Sequence, residues 1–576
     1  MSDTPSTPPT TDTPQDMGGV IPSDPYLRKD AIMPTLSDDA LERIQRYGVT
    51  RQVAKGEVLF DVGDQQTQFI ALLSGQLVIE SDQCEGTTEI VRHHRGHFSG
   101  EIDMFSNRRA LVRGICCEAG EMVFLDRASF RRFLAAHADL SEIIMRAFIL
   151  RRTGLIYHSQ GDIVLVGNKD GARLLPLKLF LTRNGHPHRY VDPAQEPEMT
   201  QQLYDHFGLT ADDLPVVVYH NEEVLKQPTP RELADLLGLS KLSGERDIFD
   251  VAVVGIGPAG LASAVNAAAE GLSVVAIEGM APGGQAGTSS KIENYPAFPT
   301  GISGQALGGR MLLQAQKFGT EVLTPREIKR LDCDQYPYVL EMEDGEAIKA
   351  KSVVVATGAK WRRLGLEKET AFEALGVYYG ATAVEAAMCD GQEVAIIGGG
   401  NSAGQAAIFM AGRSKHVHIL VRRDGLAETM SDYLIKRIDA HPRITLHPNT
   451  EVAALEGESR LDGMTWRCRK TKTETQRDIR HLFVMIGAVP NTDWLGDCVL
   501  TDEKGFVITG GDLPTPHLVS ETWHVNRLPY IGETSQPGVF AVGDVRSGSV
   551  KRVASAVGEG AISAQFLYKV VNPLGQ

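Results

Sequence analysis

The stretch DVAVVGIGPAGLASAVNAAAEGLSVVAIE, residues 250–278, has the pattern of a strand, a helix and a second strand. In such a unit Gly255 turns the chain, Gly257 lets the backbone approach a pyrophosphate, and Gly260 lets the helix pack close to the strand. The second strand ends at Glu278, about 20 residues further on, where a carboxylate accepts hydrogen bonds from ribose hydroxyls. This context predicts a dinucleotide site on a parallel sheet. Its candidate residues are Gly255, Gly257, Pro258, Ala259, Gly260 and Glu278.

A second unit of the same kind follows at 393–424, where EVAIIGGG, NSAGQAAIFMAG and HVHILVRRD read as strand, helix and strand. No acidic residue takes the ribose position here, and the strand ends at Arg422 and Arg423. Two guanidinium groups suit a 2′-phosphate, so we expect NADPH rather than NADH. The alternative is a solvated basic turn. The candidate residues are Gly398, Gly400, Asn401, Ser402, Arg422 and Arg423.

Further motifs extend over the rest of this part of the chain: GGQAGTSSKIENYPAFP at 283–299, VVVATGA at 353–359, FVMIGAVPNT at 483–492 and GVFAVGDV at 538–545. With these motifs residues 248–576 resemble the low-molecular-weight thioredoxin reductases. The resemblance implies an FAD-binding domain at 248–362 and 489–576, and an NADPH-binding domain at 363–488. It also places FAD or the nicotinamide against Gly284, Gln285, Asn294, Gly358, Asp544, Arg552, Val553 and Ala554.

One departure from that family removes its reactive dithiol. The family's C-A-T-C tetrad is replaced by GATA at 380–383, so neither Gly380 nor Ala383 can supply a thiolate. Cys389 follows nearby but has no neighbouring cysteine with which to form a disulfide. We therefore identify no catalytic residue, and expect FAD itself to carry the chemistry.

Two smaller departures concern the cofactor contacts that the resemblance implies. The family's histidine before the two arginines is Val421, and its third phosphate-binding arginine is Ala427, which weakens the NADPH preference without removing it. The family's flavin-side glutamine is Val553. Hydrogen bonding around the isoalloxazine ring should differ accordingly.

Residues 31–155 contain KGEVLFDVGDQQTQFIALLSGQLVI, GHFSGEIDMF and NRRALVRG, which resemble a cyclic-nucleotide-binding domain. The resemblance implies a β-roll with a closing helix, and a phosphate cassette formed by Gly100, Glu101, Arg108 and Arg109. In that family backbone amides and an arginine hold the cyclic phosphate, and the glutamate accepts the ribose hydroxyl. The cassette loop is short here. The alternative is a β-roll kept as an interaction or dimerisation domain.

Residues 160–241 alternate strand and helix patterns in a compact α/β module that looks like a thioredoxin or glutaredoxin fold. Leu214-Pro215 before VVVYH matches that family's cis-proline position. The loop NKDGARL at 168–174 holds no cysteine, so we favour a degenerate adaptor fold.

Composition narrows the remaining possibilities. The net charge of −15 opposes a nucleic-acid partner. No apolar run approaches the roughly 18 residues of a membrane span, and no signal peptide is recognisable. The seven cysteines show no C-x-x-C pair, which suits a reducing, cytoplasmic location. Residues 1–30 have almost nothing to bury and are predicted to be a disordered tail. We expect no metal site, because His93, His94 and His97 read as a solvated loop.

The predicted fold class is multidomain: a β-roll, a thioredoxin-like domain and two dinucleotide-binding α/β domains. Three functions are left open. The first is an FAD-dependent oxidoreductase that oxidises NADPH and serves an unknown electron acceptor, with possible control by a cyclic nucleotide. The second is a cyclic-nucleotide or redox sensor with little turnover. The third is a thioredoxin-disulfide reductase with a non-standard dithiol. By analogy with the family we expect a homodimer.

Overall fold

The computed structural model describes residues 24–572, except positions 66, 84–85, 101, 106–107, 170, 172, 221, 243–245, 290, 382 and 519–522. The first domain, residues 25–157, is a β-roll of two four-stranded antiparallel sheets with flanking helices. Its elements are α1 Lys29–Ile32, α2 Asp38–Gln45, β1 Val49–Val53, β2 Val58–Phe60, β3 Phe69–Leu72, β4 Gln76–Gln83, β5 Gly86–His93, β6 Phe98–Ser99, β7 Arg113–Glu118, β8 Gly120–Leu125, α3 Arg127–Ala136 and α4 Ala138–Tyr157. Buried phenylalanines from the strands and helices fill its core.

The end of the expected disordered tail is ordered in the structure. Pro25–Leu27 forms a 3₁₀ turn and α1 follows it. The Tyr26 hydroxyl donates to Gln160 at 2.9 Å, and its ring stacks on His158 at 4.7 Å. One aromatic side chain thus gives this segment a buried contact, which average composition does not reveal. Residues 1–23 of the expected tail lie outside the described residues.

The middle domain, residues 163–236, has a four-stranded sheet in the order β10-β9-β11-β12. Its elements are β9 Ile163–Val166, α5 Leu174–Arg183, β10 His188–Val191, α6 Pro197–Phe207, β11 Val216–Tyr219, β12 Glu223–Lys226 and α7 Pro230–Leu236. β10 is parallel to β9, and β11 and β12 are antiparallel to their neighbours. The Leu214–Pro215 bond before β11 is cis, as the sequence indicates.

The first dinucleotide domain begins at residue 248. Its first part contains β13 Ile248–Val254, α8 Pro258–Ala269, β14 Val274–Ile277, α9 Gly304–Lys317, β15 Glu321–Leu323, β16 Ile328–Asp332, β17 Tyr338–Met342, β18 Ala347–Val355 and β19 Ala359–Trp361. The four strands β15-β14-β13-β18 are parallel, as the predicted strand–helix–strand unit requires.

The second dinucleotide domain is inserted after β19. It contains β20 Val377–Tyr378, α10 Ala383–Met388, β21 Glu393–Ile397, α11 Asn401–Met410, β22 His416–Leu420, α12 Asp432–Asp439, β23 Ile444–His447, β24 Thr450–Glu456, β25 Gly463–Cys468, β26 Glu474–Arg477 and β27 Leu482–Val484. Its parallel sheet runs β20-β27-β21-β22-β23, and β24-β25-β26 form a separate antiparallel sheet.

The chain then returns to the first dinucleotide domain through β28 Ala488–Pro490, α13 Thr515–Leu518, β29 Val539–Ala541 and α14 Val553–Val571. β29 joins the first sheet beside β18, and α14 packs on α8. β28 pairs antiparallel with β19, so the two chain crossings between the dinucleotide domains run side by side.

Both N-terminal domains pack on the dinucleotide domains. Leu313 of α9 lies in the β-roll core, and Lys317 donates to Ser141 of α4 at 2.8 Å. Leu175 of α5 lies in the core of the second dinucleotide domain, and Leu179 packs against that core. The C-terminal end of α5 contacts the first dinucleotide domain.

Candidate functional site

A large cavity, of about 600 Å³, lies between the two dinucleotide domains. We call it the shared cavity, because residues of both glycine-turn units line its wall. The lining residues include the predicted positions Gly255, Gly257, Pro258, Ala259, Glu278, Gly284, Gln285, Asn294, Gly358, Asp544, Arg552, Val553, Asn401 and Ser402. This volume is within the range of small-molecule and cofactor sites, about 300–1,000 Å³.

The first glycine turn has the predicted geometry. Gly255 has φ +91°, a conformation that residues with a Cβ rarely adopt. Gly260 lies behind the turn rather than on the cavity wall, and a Cβ there would clash with the Gly255 carbonyl oxygen. Gly257 precedes α8, whose N-terminus therefore opens on the cavity and favours an anionic group.

Gly284 closes the same end of the cavity. A Cβ on Gly284 would lie 2.9 Å from the Gly257 Cα, so two glycine backbones approach each other where a pyrophosphate would lie. This cradle, which side chains would fill, fits the diphosphate of FAD.

Two carboxylates lie along the cavity. Glu278 accepts hydrogen bonds from the amides of Ile256 at 2.9 Å and Met280 at 3.2 Å, and burial raises its pKa. Burial likewise raises the pKa of Asp544. Ribose and ribityl hydroxyls would supply donors to both groups. Both positions fit the contacts that the sequence predicts for FAD, whereas Ala554 is exposed and off the cavity wall.

The second glycine turn opens toward the same cavity. Gly398 has φ +143°, and Gly400 caps α11, whose first residues Asn401 and Ser402 line the cavity. The Asn401 side chain accepts from the Ser431 amide at 2.7 Å, which fixes the loop after β22 against the turn. The pyrophosphate of a nicotinamide cofactor would suit this helix N-terminus.

The two arginines at the end of β22 are exposed. Arg423 pairs with Glu428 at 2.6 Å, so its positive charge is already matched. The Arg422 carbonyl accepts from Arg469 at 3.3 Å. Neither side chain is on the wall of the shared cavity.

The first two residues of the GATA tetrad lie at the cavity wall. Gly380 and Ala381 line it, and a Cβ on Gly380 would lie 3.5 Å from the Thr288 Cβ. Thr382 lies outside the described residues, and Ala383 begins α10. The segment where the resembling family carries its dithiol therefore faces the cavity with glycine and alanine.

Cys389 follows α10 and is fully buried. Burial raises the pKa of its thiol far above the usual range, with Glu385 adding to the effect. A thiol that stays protonated and inaccessible is a poor nucleophile. It belongs to the apolar core of the second dinucleotide domain.

The cassette arginines of the β-roll are engaged with the middle domain. Arg108 donates to the Asn184 carbonyl at 2.8 Å, and the Arg109 guanidinium lies beside Tyr219. Gly100 has φ +142°, and a Cβ there would crowd Met104 and Phe148. Glu101 lies outside the described residues. The structure thus brings Arg108 to a domain junction.

The three histidines of the β-roll that the sequence singled out have different surroundings. His93 is buried in β5, and burial lowers its pKa well below the usual value, which corrects its interpretation as part of a solvated loop. The His97 Nδ1 accepts from the His94 amide at 3.2 Å. Within the described ranges, no group of three His, Cys, Asp or Glu residues is arranged to hold a metal ion.

Cys333 and Cys498 form a disulfide with a Cα–Cα distance of 5.9 Å. The cysteine spacing does not indicate it, because the two residues are 165 positions apart. The expectation of a reducing compartment was based on unpaired cysteines, and this pair removes part of that support. Neither sulfur lines the shared cavity.

Arg183, at the end of α5, also lines the shared cavity. Its Nη2 donates to the Gly284 carbonyl at 2.8 Å. The sequence carries no signal for this residue, because it belongs to no motif and lies about 100 residues before the loop that it contacts.

Across the described part of the chain, no helix is both long enough and apolar enough to cross a membrane.

Two glycine-turn units on parallel sheets, with helix N-termini opening on one cavity, define a flavoprotein of the class that binds two dinucleotides. A family model agrees with this class over most of the C-terminal half. The chain belongs to the pyridine nucleotide-disulphide oxidoreductase family, whose model matches residues 249–560. A second model, that of the cyclic nucleotide-binding domain, matches residues 50–137.

Similar proteins carry names of two kinds. The NADPH-dependent thioredoxin reductase 3 of Arabidopsis thaliana is 34% identical over 59% of this chain and 64% of its own length. The NADH dehydrogenase of Bacillus subtilis is 30% identical over 56% of this chain and 58% of its own. This chain therefore spans about three fifths of either relative. The thioredoxin reductase structure from T. acidophilum aligns with a TM-score of 0.50 at 28% identity, over 56% of this chain and 99% of that one.

Proposed function

We propose that this chain is an FAD-dependent oxidoreductase that takes hydride from NADPH and passes electrons to an acceptor other than a dithiol of its own. One observation carries the proposal: both glycine-turn units open on one cavity, and no cysteine is among the described residues that line it. When bound, the flavin would accept a hydride and release electrons singly or in pairs. The residues of the chain hold the two cofactors and supply no thiol.

The acceptor then has to reach the flavin directly. A quinone, a one-electron protein or dioxygen would meet that requirement. The two names carried by the relatives bear on this choice, since one relative is called a thioredoxin reductase and another an NADH dehydrogenase. The Gly380–Ala381 wall favours the second kind of chemistry.

The test is anaerobic mixing of the FAD-bound protein with NADPH, followed through the visible flavin absorbance. Bleaching that reverses with air or a quinone, but not with oxidised thioredoxin, is the expected result. Failure of NADPH and NADH to bleach the flavin would contradict the proposal and favour a sensor with little turnover. Reduction of thioredoxin at a comparable rate would favour the disulfide reductase.

For the disulfide reductase, Cys333 and Cys498 would be the candidate pair, since Cys389 is buried. Their absence from the cavity wall counts against that role. Cys389→Ser and the double variant Cys333→Ser/Cys498→Ser separate the two thiol sources. Loss of thioredoxin reduction in only one of them would identify the source.

We infer that the middle domain is a thioredoxin-like domain without cysteines. The strand order β10-β9-β11-β12 and the cis bond before Pro215 support this fold. Its α5 contacts both dinucleotide domains, so its role is that of an adaptor. A truncated chain beginning at residue 248 should retain less FAD than the full chain, as measured by the flavin-to-protein absorbance ratio.

We further propose that a cyclic nucleotide regulates the flavoprotein through the β-roll. The family model for residues 50–137 supports nucleotide binding by the β-roll. The Arg108–Asn184 contact provides a route by which binding would affect the middle domain. A phosphate that recruits Arg108 would compete with the Asn184 carbonyl, and so favour a different arrangement of the junction.

Titration with cAMP and cGMP, followed by calorimetry and by the rate of flavin reduction, tests this regulation. Arg108→Ala should abolish any response. Arg132→Ala is the matched control, because Arg132 lies on α3 and donates to Ser129 instead. If neither nucleotide binds, the β-roll is an interaction or dimerisation domain.

We further propose that the protein is a cytoplasmic homodimer with no nucleic-acid partner. Gel filtration with light scattering tests the dimer.

A further inference from the structure

We propose that Arg183 of the middle domain is an FAD-binding residue that holds the adenosine diphosphate half of the cofactor. The FAD site would then be built from two domains of the chain rather than one. The inference rests on the proposed function in one respect, namely that FAD occupies the shared cavity.

The position of the guanidinium group is defined by the loop after Glu278. Its Nη2 donates to the Gly284 carbonyl at 2.8 Å, and its Nη1 lies 3.1 Å from the Met280 sulfur. Gly284 is the residue whose backbone approaches Gly257. Arg183 therefore lies at the pyrophosphate and ribose end of the cavity.

Not every N–H group of the Arg183 side chain is hydrogen-bonded. Its Nε is buried and has no hydrogen-bond partner. Burial lowers the pKa of the guanidinium, and the Glu278 carboxylate opposes that shift. An unsatisfied buried donor is costly, and a planar fork of N–H groups matches phosphate oxygens. Arg183 lines the cavity beside the Gly284 carbonyl, so a diphosphate bound there would match its positive charge.

The backbone around Arg183 is held against the first dinucleotide domain. The Thr182 carbonyl accepts from the side chain of Gln305. The side-chain Nδ2 of Asn184 donates to the Phe180 carbonyl at 2.9 Å and to the Met280 carbonyl at 3.3 Å. The residues on both sides of Arg183 are thus anchored to the domain that carries the cavity, which fixes the side chain in place before a ligand arrives.

The test compares FAD binding by deflavinated full-length variants, through quenching of FAD fluorescence. Arg183→Met should weaken binding by about tenfold or more, because it removes charged hydrogen bonds. The FAD affinity of Arg183→Lys should fall between that of the wild type and that of Arg183→Met, since lysine keeps the charge but lacks the planar pair of N–H donors. Arg173→Met is the matched control: Arg173 precedes the same helix, is exposed, and bonds to Gln227 within the middle domain.

A second probe is ADP alone, used as a competitor of FAD. The loss seen for FAD in Arg183→Met should be reproduced for ADP, because the contact involves the diphosphate half. Unchanged FAD binding in both Arg183 variants, or a loss for FAD without one for ADP, would overturn the assignment. If the wild-type chain binds no FAD, the proposed function fails as well, so the two failures are distinguishable.

Discussion

Arg422 and Arg423 are the residues expected to select NADPH over NADH. Replacing both with alanine should lower kcat/KM for NADPH by about 10- to 100-fold, because charged hydrogen bonds to a 2′-phosphate are lost. The value for NADH should hardly change. Steady-state assays with each cofactor measure this difference.

Arg422→Ala alone should account for most of the effect, since Arg423 already pairs with Glu428. Lys415→Ala is a suitable control, because Lys415 precedes β22 and pairs with Glu393 at 3.0 Å. Equal losses for NADPH and NADH would mean that the arginines support the fold rather than select the cofactor.

Cys389 should behave as a core residue. Its thiol is buried with a raised pKa, so a disulfide reagent near neutral pH should modify Cys117 and Cys468 long before it reaches Cys389. Mass spectrometry of the labelled protein identifies the sites. Rapid labelling of Cys389 in the folded state would contradict its placement in the core.

His188 should make stability depend on pH. Burial lowers its pKa from 6.5 to about 4 in the folded chain; the hydrogen bond to the His186 carbonyl opposes this shift, and the positive charges of His186 and Lys178 add to it. The neutral ring is therefore favoured by folding. Its contribution is present above the unfolded pKa and is lost as pH falls from about 6.5 towards 4, by up to about 3 kcal/mol.

The Tm of the wild-type chain should accordingly fall over this pH range, and His188→Gln should make the fall shallower. Scanning calorimetry at several pH values measures both. An identical pH dependence in the two proteins would show that other groups cause it.

At the scale of elements, α5 is the helix on which the arrangement of domains depends. Leu175→Ala should destabilise the chain by about 2 to 5 kcal/mol and speed the labelling of Cys389, because both residues belong to the same apolar core. Val224→Ala, at a partly buried side chain that packs against the core of the same domain away from this contact, should destabilise the chain without exposing Cys389. Thiol labelling of both variants under native conditions separates the two effects.

The same helix illustrates what the sequence could and could not predict. Its existence follows from the apolar pattern of ARLLPLKLFLTRNG, and the glycine turns follow from backbone geometry that few residues can adopt. The partners of Leu175 and Arg183 lie about 100 or more residues away. Contacts of that kind depend on how finished domains pack, for which local patterns carry no signal.

At the scale of the whole molecule, the Cys333–Cys498 bond closes a loop that contains the second dinucleotide domain. Reduction, or the double serine variant, should lower the free energy of unfolding by about 4 to 5 kcal/mol, because the loop spans 165 positions. Flavin reduction by NADPH should be unaffected. Calorimetry with and without reductant, beside the NADPH assay, measures both.

A loss of NADPH-dependent flavin reduction on cutting this bond would contradict a purely structural role. The matched control is Cys468→Ser, which removes a free, partly exposed thiol of the inserted domain. That variant should change neither stability nor activity appreciably.

The paired strands β19 and β28 are the only route by which the chain enters and leaves the inserted domain among the described residues, and they lie together as one ribbon. A domain that is connected through one pair of strands can rotate about that connection. Helix α5 joins the two domains at a second point, because Leu175 packs in the core of the inserted domain and Arg183 contacts the first dinucleotide domain. A rotation of the inserted domain relative to the first dinucleotide domain would have to break one of those two contacts.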